Sequence, residues 1–94
     1  KDTNTAVKWY TLAAGQGNAE AQNNLGFMYS EGIGVIEDSV YAHMWFNIAA
    51  ARGGTKNAIK NRDILTKRMT PAQIAKAQEL IQAENGRLQV GDTV

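Results

Sequence analysis

"DSVYAHMWFNIAAARG", residues 38–53, restates a pattern that the chain has already used once. Residues 2–17 read "DTNTAVKWYTLAAGQG", and the two stretches align without a gap. Asp2 matches Asp38, Ala6 matches Ala42, Trp9 matches Trp45 and Tyr10 matches Phe46. Ala13-Ala14 match Ala49-Ala50 and Gly17 matches Gly53, every pair being 36 residues apart. A repeat of that length marks an array of supersecondary units, and it governs how the rest of the chain is read. Within the second copy, Ala42, Trp45, Phe46, Ala49, Ala50 and Gly53 fall at i, i+3, i+4, i+7, i+8 and i+11, one stripe of a helix. Large and small residues alternate along it, so a neighbouring helix can come close while the aromatic rings fill the space beside the contact.

Between the copies lies "NAEAQNNLGFMYSEG", residues 18–32. Asn18 can cap a helix, and Ala21, Leu25, Met28 and Tyr29 again keep helical spacing. Gly26 falls in mid-helix, where it costs about 1 kcal/mol relative to alanine; such a glycine suits a point where another helix crosses. Gly32 and Gly34 then form a turn, and the acidic pair Glu37-Asp38 opens the next helix at its positive end. Three glycines this close also raise the question of a phosphate cradle. A dinucleotide loop needs G-x-G-x-x-G between a strand and a helix, and a P-loop needs Gly-Lys-Ser/Thr. Here a helical pattern precedes Gly32, no third glycine follows Gly34, and Val35 stands where the lysine would be. The glycines are architectural.

The unit is therefore helix, glycine turn, helix. "AEAQNNLGFMYSEGIGVIEDSVYAHMWFNIAAARG" resembles a Sel-1-like repeat (SLR), a relative of the tetratricopeptide repeat (TPR). The residues that carry the resemblance are Ala21, Leu25-Gly26, Tyr29, Gly32-x-Gly34-Val35, Asp38, Ala42, Trp45, Ala49-Ala50 and Gly53. It implies an all-α fold, an α-solenoid of antiparallel helix pairs wound as a right-handed superhelix, with about five helices here. It further implies a bacterial protein, and a fragment that contains the C-terminal end of its repeat array.

On this reading residues 1–86 form the repeat domain. Residues 1–17 are the second half of one repeat, and 18–53 are a full repeat. Residues 54–69 are a degenerate repeat helix: Ala58, Ile59, Ile64, Leu65 and Met69 supply an apolar series, but Leu-Gly and Tyr are missing. Residues 70–86 are a capping helix. Thr70 and Gln73 form a capping box around Pro71, the buried stripe is Ile74, Ala77 and Ile81, and Asn85-Gly86 ends the helix. Residues 87–94 are expected to be a disordered tail. The chain opens on Lys1 rather than Met and is read as a piece of a longer protein, so bacterial cytoplasm and periplasm or export stay equally open.

Composition excludes several functions. With 94 residues, 44 % hydrophobic, the chain suits one small folded domain. Ten basic and nine acidic residues leave a net charge of +1, so no global field draws nucleic acid or an anionic surface. There is no cysteine, and no apolar run of the roughly 18 residues that a membrane span would need. His43, the single histidine, stands beside the buried stripe with no partner at metal-ligand spacing, and reads as a surface residue. Glu79 and Glu84 fall on an exposed helix face, and no Ser/His/Asp frame is present. No catalytic residue, metal ligand or cofactor is assigned. Arg52, Lys56, Lys60, Arg62, Lys67 and Arg68 make residues 52–68 locally basic against Asp63 alone. This face is read as solvated by default, with an acidic partner next and nucleic acid last, because no aromatic platform accompanies the charge.

By resemblance, the concave side of such a solenoid is lined by the first helix of each repeat and holds a peptide or helix of a partner protein, making the chain an interaction scaffold. On helix 18–31, rotation away from the packed side leaves Glu20, Asn23, Phe27 and Ser30, with Asn24 and Glu31 beside them. Asn23 can both donate to and accept from a peptide backbone. Phe27 is apolar yet off the buried stripe, as an anchor would be, unless it packs on helix 55–68. The expected protein-binding residues are therefore Glu20, Asn23, Asn24, Phe27 and Ser30. Trp9, Leu12 and Val7 are expected to be partly uncovered, which favours homo-oligomers through that N-terminal edge. The competing reading is a structural cap whose parent solenoid binds through other repeats.

Overall fold

The computed structural model describes residues 3–52 and 56–93, without the side chains of 85 and 87–93. Asp2 and Gly53 of the repeat pattern lie outside the described residues. Five helices follow one another: α1 Thr3–Gly15, α2 Ala19–Glu31, α3 Ser39–Ala51, α4 Lys56–Thr66 and α5 Pro71–Thr93. All regular structure among the described residues is helical. The fold is an α-solenoid of antiparallel helix pairs, with α2 and α3 forming the complete repeat.

Local signals set the helix ends. The side chain of Asn18 accepts from the N–H of Ala21 at 2.8 Å, and that of Asp38 accepts from the N–H of Tyr41 at 3.0 Å. Thr70 and Gln73 make both bonds of their capping box, 2.9 Å from the Thr70 N–H to Oε1 and 3.1 Å from the Gln73 N–H to Oγ1. α2 ends on Gly32, left-handed at φ 71°, while the N–H of Ile33 reaches back to the Met28 carbonyl at 2.9 Å. That return bond aims the chain at Asp38, whose N–H donates to the Tyr29 carbonyl at 2.9 Å.

Packing centres on α3, which touches α2, α4 and α5. Ala14, Ala21, Leu25, Met44, Trp45 and Ile48 form one apolar cluster; Ala42, Phe46, Leu65, Met69 and Ala77 form another. Each large side chain fully buried this way contributes on the order of 1.5–3 kcal/mol. Gly26 explains how α2 comes so close to α3: a Cβ there would stand 2.7 Å from two ring atoms of Phe46 and 3.2 Å from the Ala42 carbonyl oxygen. The rings of Tyr29, Tyr41 and Trp45 then meet edge to face at 4.6 and 6.0 Å.

Four expectations need correction. His43 is not on the surface; it is 3 % exposed, because α3 has helices on several sides and the strip beside its main stripe is covered too. Ile59 and Ile64 do not join the core, to which α4 contributes only Ala58 and Leu65, with Met69 following in the turn beyond it. Ser30 is buried rather than displayed, with its hydroxyl donating to the Phe27 carbonyl at 2.9 Å. Asn85-Gly86 does not end α5, which stays helical to Thr93. The expectation for the last residue, Val94, lies outside the described residues.

The N-terminal edge matches its expectation. Trp9, one repeat upstream of the buried Trp45, is 67 % exposed, and Leu12 is 60 % exposed. α1 packs chiefly on α2, so the face that a further helix would cover carries Val7, Lys8, Thr11 and Leu12 around a shallow depression.

Candidate functional site

α2 and α4 occupy the same place in consecutive units, and a groove of about 190 Å³ runs between them. Phe27 and Glu31 of α2 form one wall, Asn61 and Ile64 of α4 the other, and buried Phe46 of α3 lies at the bottom, with Arg68 at one side. Helical phase produces this surface. Phe27 is two residues past Leu25, about 200° around the helix, so it faces away from the core while Leu25 and Met28 fill it. Ile64 precedes Leu65 and is turned off the packed edge in the same way. Phe27 is 47 % exposed and Ile64 is 50 % exposed, apolar side chains that the fold has not covered.

Polar contacts fix the spacing of the walls. The Asn61 amide donates to the Asn23 carboxamide oxygen at 3.2 Å, joining α4 to α2. Arg62 donates to the Asn47 oxygen of α3 and to the Asp63 carboxylate, both at 3.2 Å. His43 adds a third tie, with Nε2 3.1 Å from the Thr66 hydroxyl. That hydroxyl spends its proton on the Arg62 carbonyl at 2.7 Å, so it accepts from His43 Nε2–H. Nδ1 is then unprotonated, buried and without a hydrogen-bond partner. Burial, and then the nearby Arg62 charge, hold the imidazole below its usual pKa of 6.5.

The five residues expected to bind do not share one surface. Phe27 and Ser30 border the α2–α4 groove, Ser30 as part of its buried lining. Asn23 stands at the joint between the two helices, its oxygen accepting one bond from Asn61, which leaves its amide protons and a second lone pair to offer. Glu20 and Asn24 lie on the other flank of α2, in a cleft of about 270 Å³ with Tyr10 and Ala13 of α1. Asn61, Ile64 and Arg68 were not among the expected residues. Ile64 carries the same signal as Phe27, an apolar residue adjacent to a buried one, but in a degenerate repeat helix the pattern does not tell which isoleucines face the core.

The described residues hold no group of three or more His, Asp or Glu side chains placed to bind a metal, and no helix among them is long and apolar enough to cross a membrane. The arrangement is suited to non-covalent recognition: an apolar slot between two helices, framed by amide and charged groups.

The Sel1 repeat profile matches residues 1–18 and again 19–54. This chain belongs to the Sel1 repeat family. Its complete Sel1 repeat is the α2–α3 pair whose crossing depends on Gly26. Over its whole length the chain superposes, with a TM-score of 0.87 and 31 % identity, on a protective antigen of uropathogenic Escherichia coli that displays an SLR fold. It is also similar to two fungal proteins. One is chitin synthase regulatory factor 3 of Schizosaccharomyces pombe, 43 % identical over 56 residues, or 60 % of this chain. The other is the chitin synthase regulator SKT5 of Saccharomyces cerevisiae, 35 % identical over 65 residues, or 67 % of this chain. The matched segments are 6 % and 9 % of those two fungal proteins and 21 % of the solved chain. Both fungal relatives are described as regulators. The Sel1 repeat architecture of this chain is that of a helical protein-interaction scaffold.

Proposed function

We propose that this Sel1 repeat segment binds a peptide or helix of a partner protein in the α2–α4 groove, with Phe27 and Ile64 as the apolar anchors. The supporting observation is the half-exposure of these two large side chains, on consecutive first helices of the array, across a slot with buried Phe46 at its base. Asn23 and Ser30 act at the edge and lining of that slot. Glu20 and Asn24 serve the separate α1–α2 cleft if a partner extends that far. Such a module brings proteins together rather than transforming a substrate, in keeping with the regulatory description of the fungal relatives.

The test is affinity capture with wild type beside the pair Phe27→Ser and Ile64→Ser, which removes the apolar surface without adding charge. Interface anchors are worth about 2 kcal/mol or more when truncated, roughly 30-fold in affinity. A partner retained by wild type and lost by the double variant supports the groove. Equal retention moves the function elsewhere. One observation favours the alternative, a capping end of a longer solenoid: α5 lays Ala77 and the half-buried Leu80 and Ile81 against the core, as a closing helix would.

A further inference from the structure

The groove walls differ in charge, and this is where the partner's chemistry can be read. Lys60 and Ile64 are one helical turn apart on α4, which places them on the same face. Lys67 and Arg68 follow in the turn that closes α4, their N–H groups bonding back to the Asp63 and Leu65 carbonyls. All three cations are exposed, and among the described residues none forms an ion pair. Arg62, by contrast, is spent on Asp63 and Asn47. Arg68 thus lines the groove beside Ile64, Lys60 and Lys67 stand exposed near it along α4 and the turn that follows, and the one acidic residue of the groove lining is Glu31. The chain's net charge is only +1, so this concentration is local.

We propose that the groove is selective for an acidic, amphipathic peptide segment: an apolar side chain seated between Phe27 and Ile64, with carboxylates directed at Lys60, Lys67 and Arg68. The proposal rests on the groove reading above and adds the charge of the partner. Complementary charge at a rim acts mainly on encounter rate and on rejection of wrong partners, so selectivity against basic segments follows as well. Glu31 sets the polarity, since a carboxylate beside it is repelled and the acidic side of the segment must lie along α4. The C-terminal dipole of α4 accounts for favourable placement of Lys67 and Arg68 but not of Lys60, which lies further from that end.

The test begins with a random-peptide display library selected on the immobilised wild-type chain. Affinities of the enriched peptides are then measured by fluorescence anisotropy for three proteins, each checked for helical content by circular dichroism. These are wild type, the neutral groove variant Phe27→Ser/Ile64→Ser, and the charge variant Lys60→Glu/Lys67→Glu/Arg68→Glu. The expected result is enrichment of peptides with net negative charge and at least one large apolar residue. Their affinity should fall about tenfold or more in each variant, and should weaken as salt rises from about 0.05 to 0.3 M. Neutral or basic peptides that need Phe27 and Ile64 would overturn the charge selectivity and leave the groove standing. Acidic peptides indifferent to Phe27 and Ile64 would overturn the groove reading and this proposal with it. A single-stranded oligothymidylate probe that bound the α4 face more tightly than every enriched peptide would overturn the proposal in favour of nucleic acid. Failure to enrich any peptide would overturn it outright.

Discussion

Replacing Gly26 with alanine should destabilise this protein, although helix propensity alone says the opposite. In an exposed helix the change gains about 1 kcal/mol, because glycine loses more backbone freedom on folding. Here the new Cβ would stand 2.7 Å from Cδ1 and Cε1 of Phe46 and 3.2 Å from the Ala42 carbonyl oxygen. Carbon atoms sit comfortably at about 3.5–4.0 Å, so the ring must retreat by about 1 Å. Phe46 is 2 % exposed and has nowhere to go without shifting its neighbours, and Ala42 presents backbone that cannot rotate away. Overpacking of this kind costs about 1–3 kcal/mol, so the net loss should be close to 1 kcal/mol. For a chain of this size that is a fall in Tm of about 4–8 °C. Urea unfolding followed by circular dichroism gives the free energy, and the second half of the experiment is a cycle with Phe46→Leu, whose shorter side chain can step aside. In that background the penalty of Gly26→Ala should shrink to near zero, a coupling of about 1 kcal/mol between the two positions. A Gly26→Ala protein more stable than wild type, with no coupling to position 46, would refute the account of how α2 and α3 approach each other.

Other consequences are tested with the same assay or a related one. The His43 imidazole titrates below 6.5 in the folded state and near 6.5 in the unfolded state, so the unfolded chain binds the proton more readily; stability present above pH 6.5 is lost as pH falls through that value. Thermal melts across that range should show the decline in wild type and a flatter profile in His43→Gln. Asp38→Ala removes the bond to the Tyr41 N–H and should cost about 1 kcal/mol in urea unfolding. Self-association through the α1 face should appear as a concentration-dependent sedimentation coefficient, abolished by Trp9→Ser with Leu12→Ser; a strictly monomeric wild type at high concentration would remove that proposal.

The fold could be read from the sequence because repetition multiplies weak signals. One Trp at helical spacing says little, but Trp9 and Trp45 with the same neighbours 36 residues apart fix both period and helix phase. The capping residues Asn18, Asp38 and Thr70 act through local geometry, so their roles follow from neighbours within four residues; Gly26 stands out as a glycine in mid-helix, although the ring and carbonyl it admits belong to α3. His43 was misplaced because its burial depends on α4 crossing α3, which no pattern within α3 reports. Ile59 and Ile64 were misplaced for the converse reason: α4 buries only a narrow edge, and its composition does not reveal how wide that edge is. The binding surface was half legible. Phe27 is out of phase within its own helix and could be picked out, whereas Asn61, Ile64 and Arg68 join it only through tertiary packing. That packing also separates Glu20 and Asn24 from Phe27.

The most direct test of the groove as the working surface is site-specific photo-crosslinking. Benzoylphenylalanine placed at residue 27, and in a parallel protein at Gln82 on the exposed side of α5, would be irradiated in cells that make the protein. A discrete partner adduct is expected from position 27 and none from position 82. Adducts from position 82 alone, or identical adducts from both, would contradict the groove as the working surface.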